Sequence, residues 1–345
     1  MQYTPEQLKA IKTDDHNLQI IACAGSGKTQ VISARIVHLL INRKHDGISP
    51  ASIVAFTFTE KAAAELKDRI YRLCREGLGS DQGLGDMYVG TIHGYCLNLL
   101  QAPPLYSFLK YRVLTEVHQR LFIDRHSAQS GLSTTPFLNG GTLRRWQDSK
   151  LYQQLLSIYS EANVDKDQVP NRVKNSLAMY RELADGNRYL DYTTILTEAL
   201  TAVRGHDGLR QKLRSQLRYL IVDEYQDVNP LQEQLIEELF HLCGNICVVG
   251  DDDQTIYQWR GSDVQNIITF VDRYPDVETI PLNVNFRSSR AVVEASRQVI
   301  ERLPARLPKA MESCDAQPFD RGDVLALGFA NPDSEATWIA SKINK

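Results

Sequence analysis

Eight consecutive residues, Ala22-Cys23-Ala24-Gly25-Ser26-Gly27-Lys28-Thr29, combine small side chains with one lysine and two hydroxyls. They follow an apolar run, Leu18 to Ile21, and precede an amphipathic stretch that begins at Val31, the order of strand, loop and helix. In that order the loop's backbone N–H groups face an anion at a helix N-terminus, and small residues let a polyphosphate come close. Lys28 can then reach the β- and γ-phosphates of ATP, and the Thr29 hydroxyl can ligate Mg²⁺. Residues 22–29, with Gln30 just beyond, are the expected nucleotide contacts. Ala22 stands where the strict pattern has its first glycine.

A second cluster, Leu220-Ile221-Val222-Asp223-Glu224-Tyr225-Gln226-Asp227, is an apolar run ending in an acidic pair. Asp223 is expected to hold Mg²⁺, directly or through water, and Glu224 to activate the attacking water. Asp227 and Asn229 precede Pro230 and are candidates to cap the next helix. A third cluster, Val248 to Gly261, again leaves an apolar run. Gln254 suits a γ-phosphate or its attacking water, whereas Tyr257, Trp259 and Arg260 offer flat surfaces on which nucleobases stack. One loop touching both ligands would couple hydrolysis to grip on nucleic acid.

These clusters need strand ends to position them. Short β-rich runs at Leu18–Cys23, Ser52–Thr57, Tyr219–Val222, Ile246–Val249 and Val277–Leu282 alternate with helical patterns at Lys28–Ile41, Thr59–Glu76, Pro230–His241 and Ser262–Arg273. The alternation predicts an α/β fold with a mostly parallel sheet and helices on both faces. Between Pro103 and Tyr189 the strand signal gives way to helical stretches, Thr115–Ser127, Leu143–Glu161 and Asn171–Ala184, which predicts a helical domain inserted in the core. Gly77 to Gly85 reads as a loop. After Arg287 a helix (Ser289–Glu301), a strand (Val324–Phe329) and a helix (Ser334–Lys342) are expected to open a second unit.

The 345 residues carry 39 Lys and Arg against 42 Asp and Glu, a formal charge of −3. That sum argues against a nucleic-acid partner, but it hides a local field. Residues 106–190 hold twelve basic against eight acidic residues, net +4, so the remainder carries −7. The basic segment either tracks a phosphate backbone or is a solvated helical face. No apolar run is long enough to cross a membrane and the first residues lack a signal-peptide pattern, so the expected location is the cytoplasm, without membrane contact. The six cysteines form no paired CxxC clusters and are expected to be reduced thiols.

The chain resembles the UvrD/Rep/PcrA-like group of superfamily 1 DNA helicases through seven motifs in order. They are Gln7 in Tyr-Thr-Pro-Glu-Gln, the loop 22–29, Ala55 to Leu66, Gly90-Thr91-Ile92-His93, Asp223 to Asp227, Gly250 to Gly261, and Asn285-Phe286-Arg287-Ser288. The resemblance implies a RecA-like P-loop NTPase fold. Residues 1–105 and 191–280 would form one RecA-like domain, 106–190 a helical insertion, and 281–345 the beginning of a second such domain. It implies ATP-driven 3′→5′ movement on single-stranded DNA or 3′-tailed duplex DNA, in repair, replication or recombination, with a protein of such a complex as a further partner. Lys28, Thr29, Asp223, Glu224 and Gln254 match the catalytic set, and Arg287 looks like a γ-phosphate arginine. Gln7 looks like the residue that reads adenine, and Phe286 stands where a tyrosine usually lies against the base. Arg35 resembles a nucleotide-proximal arginine or makes a helix-surface ion pair. Phe58, Thr59, Thr91 and His93 match positions that face DNA, with a core role open for His93, and Asp191-Tyr192 is expected to be structural.

The later motifs of that group, with its second γ-phosphate arginine, have no counterpart before Lys345. The 345-residue chain by itself is therefore expected to be incomplete for unwinding. Two readings remain open from sequence: the motor-bearing part of a helicase, or a nucleotide- and DNA-binding module with little turnover that acts through a partner.

Overall fold

The computed structural model describes residues 3–43, 46–79, 83–137, 140–255, 261–302, 306–317 and 324–343. Helix α1 (Pro5–Lys12) opens with a capping box, in which the Gln7 N–H donates to the Thr4 hydroxyl and the Thr4 N–H to Gln7 Oε1. Strand β1 (Asn17–Ala22) leads into α2 (Lys28–Asn42), β2 (Ile53–Phe56) into α3 (Glu60–Leu78), and β3 (Tyr88–Gly90) into α4 (Ile92–Gln101). Thr59 and Thr91 cap α3 and α4 by accepting the N–H groups of Ala62 and Gly94.

Strand β4 (Arg112–Val113), helices α5 (Glu116–Arg125), α6 (Ser149–Glu161) and α7 (Asn171–Gly186), and strand β5 (Tyr189–Leu190) come next. The helices bury a cluster of their own that includes Phe122, Ile123, Tyr152, Leu156, Leu177 and Tyr180. Asp191 closes this region: its carboxylate accepts from Gln119 at 2.8 Å and Tyr180 at 2.6 Å and caps α8 (Tyr192–Gly205) at the Thr194 N–H. Helix α9 (Asp207–Gln216), β6 (Tyr219–Val222), α10 (Pro230–Cys243), β7 (Ile246–Gly250), α11 (Gln265–Ile268), α12 (Phe270–Arg273) and β8 (Val277–Leu282) follow. Beyond them lie β9 (Val284–Asn285), α13 (Arg290–Ile300), β10 (Glu312–Ser313) and α14 (Pro332–Ile343).

The main sheet runs β3-β2-β6-β7-β1-β8, every pair parallel. All six residues of β1 are buried, as a strand covered on both faces requires. Leu18, Ile20 and Ala22 pack with α1, α2 and α3, whereas Ile21 joins the opposite cluster, built on α4, α8, α9 and α10. Parallel pairing gathers the carboxyl ends of the strands along one edge, the usual ligand edge of such a sheet. The phosphate loop, Thr57 to Thr59, Thr91, the Asp223-Glu224 pair and Asp251 to Gln254 all leave from that edge. Among the described residues no helix is long and apolar enough to cross a membrane.

Some elements depart from the sequence-based expectation. Strand β3, helices α1, α4, α8 and α9, and the two-residue strands β4, β5, β9 and β10 were not expected. The stretch Ser262–Arg273 is two single turns, because at Thr269 the backbone leaves helical geometry (φ −95°, ψ 12°) and its hydroxyl bonds back to the Gln265 carbonyl. Helix α6 starts at Ser149, since Trp146 takes a positive φ of 65° and Asp148 accepts the Arg144 N–H in a local turn. Helix α3 runs through Gly77 and stops at Gly79, whose φ of 67° makes the left-handed cap. Residues 324–329 are exposed and form no strand; β9 pairs instead with β10.

Candidate nucleotide and nucleic-acid site

The phosphate loop is shaped by two glycines in the left-handed region, Gly25 (φ 70°) and Gly27 (φ 84°). At Gly25 a Cβ would lie 2.6 Å from Asn285 Oδ1 and 2.8 Å from Arg287 Cβ, so a side chain is excluded there. The Phe286 N–H donates to the Gly25 carbonyl at 3.0 Å, which brings Phe286 and Arg287, both exposed, to the rim of the loop. Asn285 holds this turn by accepting the N–H groups of Arg287 and Ser288, each at 2.8 Å. Cys23 is buried with Val293 and Met311, and its thiol donates to the Asn283 carbonyl. Burial pushes that thiol up to about 11, so it stays protonated.

Lys28, at the start of α2, lies 2.7 Å from Glu224 Oε2. Glu224 sits in the left-handed region at φ 51°, a conformation that costs a non-glycine residue and is held where the surroundings demand it. Burial alone would raise the Glu224 carboxyl, but Lys28 and the amide of Gln226, 2.9 Å away, outweigh it and hold it below the ordinary range. Asp223 goes the other way: burial, then the neighbouring Glu224 charge, push it up to about 7. Asp227 is also raised, to about 6, first by burial and then by Glu224.

Two features fit a bound Mg²⁺-nucleotide. Ser26 Oγ in the loop is buried with no partner among the described residues, and the Asp223 carboxylate, which accepts the Glu224 N–H, is pushed up by burial and by the Glu224 charge more than Lys28 pulls it down. A cation and a polyphosphate supply what these groups lack.

Gln7 is buried, and its Nε2 donates to the Ser26 carbonyl at 3.0 Å, so it braces the loop as well as capping α1. Gln30 bonds the Tyr3 hydroxyl and receives Arg69. Arg35 is a correction in part. The residue is 1% exposed and its guanidinium donates to the carbonyls of Ala10 and Thr13, so it ties α1 to α2 and makes no surface ion pair. Asp227 is another: Asn229, not Asp227, caps α10, accepting the Gln232 N–H at 2.8 Å. Gln254 is exposed, and its amide donates to Asp251 at 2.5 Å.

On the other side of the Asp223-Glu224 pair lies a cavity of about 250 Å³ lined by Phe58, Thr59, Thr91, His93 and Tyr192, with Asp223 and Glu224 in its wall. Four of the expected DNA-facing residues therefore share one cavity. His93 packs edge-on against Tyr192 with ring centroids 5.4 Å apart, and burial pushes its imidazole down to about 4. Thr91 also donates to Glu60 at 2.8 Å. The reading of Asp191-Tyr192 as a structural pair holds for the aspartate only, because Tyr192 is 42% exposed and faces the cavity. Its place after a helix-capping aspartate was the signal available in sequence. Tyr257, Trp259 and Arg260 lie outside the described residues.

Strand-end carboxylates, a glycine-shaped phosphate loop and an aromatic cavity on one sheet edge define a nucleotide-binding α/β protein with a second ligand face. The chain matches the UvrD/REP helicase N-terminal domain over residues 3–275 and belongs to that family. It is 31% identical over 350 residues to the ATP-dependent DNA helicase PcrA of Bacillus subtilis (strain 168), covering 99% of this chain and 44% of that protein. The PcrA protein of Staphylococcus epidermidis is 30% identical over 346 residues, 99% of this chain and 45% of that protein. For PcrA of Staphylococcus aureus (strain COL) the figures are 30% over 311 residues, 89% and 41%. The chain spans less than half the length of these curated relatives.

Proposed function

We propose that this chain carries the ATP-hydrolysing part of a DNA helicase that moves 3′→5′ on single-stranded DNA. The observation that carries the reading is the shared wall: Glu224 pairs with the phosphate-loop lysine and, with its neighbour Asp223, lines the aromatic cavity. A group bound in that cavity therefore sits beside the carboxylates that act on the nucleotide. The family match and the names of the relatives support the same activity.

In this reading residues 22–30 hold the triphosphate, Thr29 and Asp223 hold Mg²⁺, and Phe286 covers the adenine. Gln7 would exchange one of its present bonds to read the base. Mg²⁺ when bound supplies charge neutralisation of the phosphates. Lys28 must leave Glu224 to meet the γ-phosphate, which frees the carboxylate to orient and deprotonate a water. Gln254 and Arg287 complete the contacts to the γ-phosphate. Phe58, Thr59, Thr91, His93 and, on the Gly250–Gly261 loop, Tyr257, Trp259 and Arg260 face the DNA strand, with Tyr192 added by its place in the cavity. We propose residues 1–105 and 191–280 as one RecA-like domain, 106–190 as an insertion whose basic residues follow duplex phosphates, and 281–345 as part of a second.

Calorimetric titration of the chain with a non-hydrolysable ATP analogue and Mg²⁺ tests the site. Binding that Lys28→Ala abolishes is expected; no binding by the wild type would refute it.

A further inference from the structure

Three consecutive aspartates follow β7, and a lysine from a distant segment contacts all three. Lys309 Nζ contacts Asp251 Oδ1 and lies 2.6 Å from Asp252 Oδ1 and 3.1 Å from Asp253 Oδ2. None of these four side chains is more than 3% exposed. Arg306 adds a two-pronged contact to Asp253, at 3.0 and 2.9 Å, and the Leu307 N–H donates to Asp252 at 2.7 Å. Burying charges of this number costs desolvation that their attraction repays poorly, so such a cluster is a weak device for stability. What it does well is hold geometry.

The geometry it holds leads to the site. Asp251 uses its other oxygen, Oδ2, to accept the Gln254 amide at 2.5 Å. Its backbone N–H donates to Gln226 Oε1 at 3.0 Å, and Gln226 Nε2 donates to Glu224 Oε2 at 2.9 Å, the same oxygen that Lys28 holds. A continuous path thus joins Lys309 to Lys28 through Asp251, Gln226 and Glu224. Gly250 gives the path room, because a Cβ there would lie 2.6 Å from Gln226 Oε1.

We propose that Lys309 is a positioning residue for ATP hydrolysis: by fixing Asp251 it sets the Gln254 amide and, through Gln226, the carboxylate of Glu224. The inference rests on the hydrolytic reading above. It makes Lys309 a part of the hydrolytic site without contact to the nucleotide, so a displacement of its ammonium is felt at Glu224.

The test is steady-state ATPase, with saturating single-stranded DNA, and melting temperature of the full-length protein in five forms. They are wild type, Lys309→Met, Lys309→Met with Asp251→Asn, Arg306→Met and Gln226→Met. The paired substitution removes one charge of each sign, so it spares the cluster an uncompensated carboxylate. Lys309→Met is expected to lower kcat roughly tenfold with KM for ATP unchanged, and the paired variant to recover its melting temperature but not its kcat. Arg306→Met removes a side chain whose hydrogen bonds among the described residues go to Asp253, off the path, and should lower the melting temperature and keep kcat. Gln226→Met leaves the ionic cluster whole yet breaks the path, and should lower kcat as Lys309→Met does. Wild-type kcat in the paired variant overturns the inference, and if Lys309→Met does not fold, wild-type kcat in Gln226→Met does the same. A wild-type protein that hydrolyses no ATP fails the hydrolytic reading itself, a separate outcome.

Discussion

The two sides of the Asp223-Glu224 pair differ in kind. On the phosphate-loop side the groups are charged and bound to one another: Lys28 to Glu224, Gln226 to Glu224, and Lys309 to the three aspartates. On the cavity side the groups other than those two carboxylates are neutral: two threonines spent as helix caps, the rings of Phe58 and Tyr192, and a histidine that burial keeps uncharged. The contrast matches the ligands proposed for each side. A triphosphate needs fixed charge that strengthens as its own charge develops, whereas nucleobases need flat neutral surfaces that tolerate any sequence.

Substitutions can break one side while sparing the other. Lys28→Ala should have the largest effect, lowering ATP turnover by on the order of a thousandfold or more through loss of the phosphate charge. Its affinity for a labelled single strand, read by fluorescence anisotropy, should stay at the wild-type value. Glu224→Gln should lower kcat by about a hundredfold or more, while calorimetry finds analogue binding retained, since Asp223 keeps its place and Lys28 loses a competing partner. On the cavity side, Phe58→Ala or Tyr192→Ala should cost about 1–3 kcal/mol of single-strand affinity and leave analogue affinity alone. A loss of both in either variant would mean that the two sides are not separable.

Acid sharpens the same contrast. Because Asp223 is pushed up to about 7, a proton increasingly competes with a divalent cation for it below that pH. Mg²⁺-dependent analogue affinity should therefore fall as the pH drops from 8 to 6. His93, at about 4, is neutral across that window, so any step in single-strand affinity there should come from Asp223 in the shared wall and survive in His93→Asn. A step near pH 6.5 in anisotropy, absent in His93→Asn, would show that the imidazole is less buried than described.

Much of this was legible in sequence where the physical signal was local. The phosphate loop and the acidic pair could be read because each leaves a fully buried strand, and buried parallel strands appear as unbroken apolar runs. Strand β3 escaped because only three residues, Tyr88 to Gly90, carry it, and glycines at 83 and 85 suggest a loop. Arg35 misled because its position in α2 is fixed by pattern, but its partners, the carbonyls of Ala10 and Thr13, are backbone groups that no pattern reports. Lys309 could not be found at all: its aspartate partners lie 56 to 58 residues earlier, and only the fold brings them together. Tyr192 lay in plain view but was read with Asp191, whose capping role concealed a neighbour that faces the other way.

The central claim is that occupancy of the cavity is felt by the carboxylates that act on the nucleotide. Its most direct test is the steady-state ATPase rate of the full-length protein with and without single-stranded DNA, in wild type and in Phe58→Ala. The account predicts hydrolysis that rises with DNA and a stimulation that needs a higher DNA concentration in the variant. ATP hydrolysis indifferent to DNA, by a protein that binds both ligands, would contradict it.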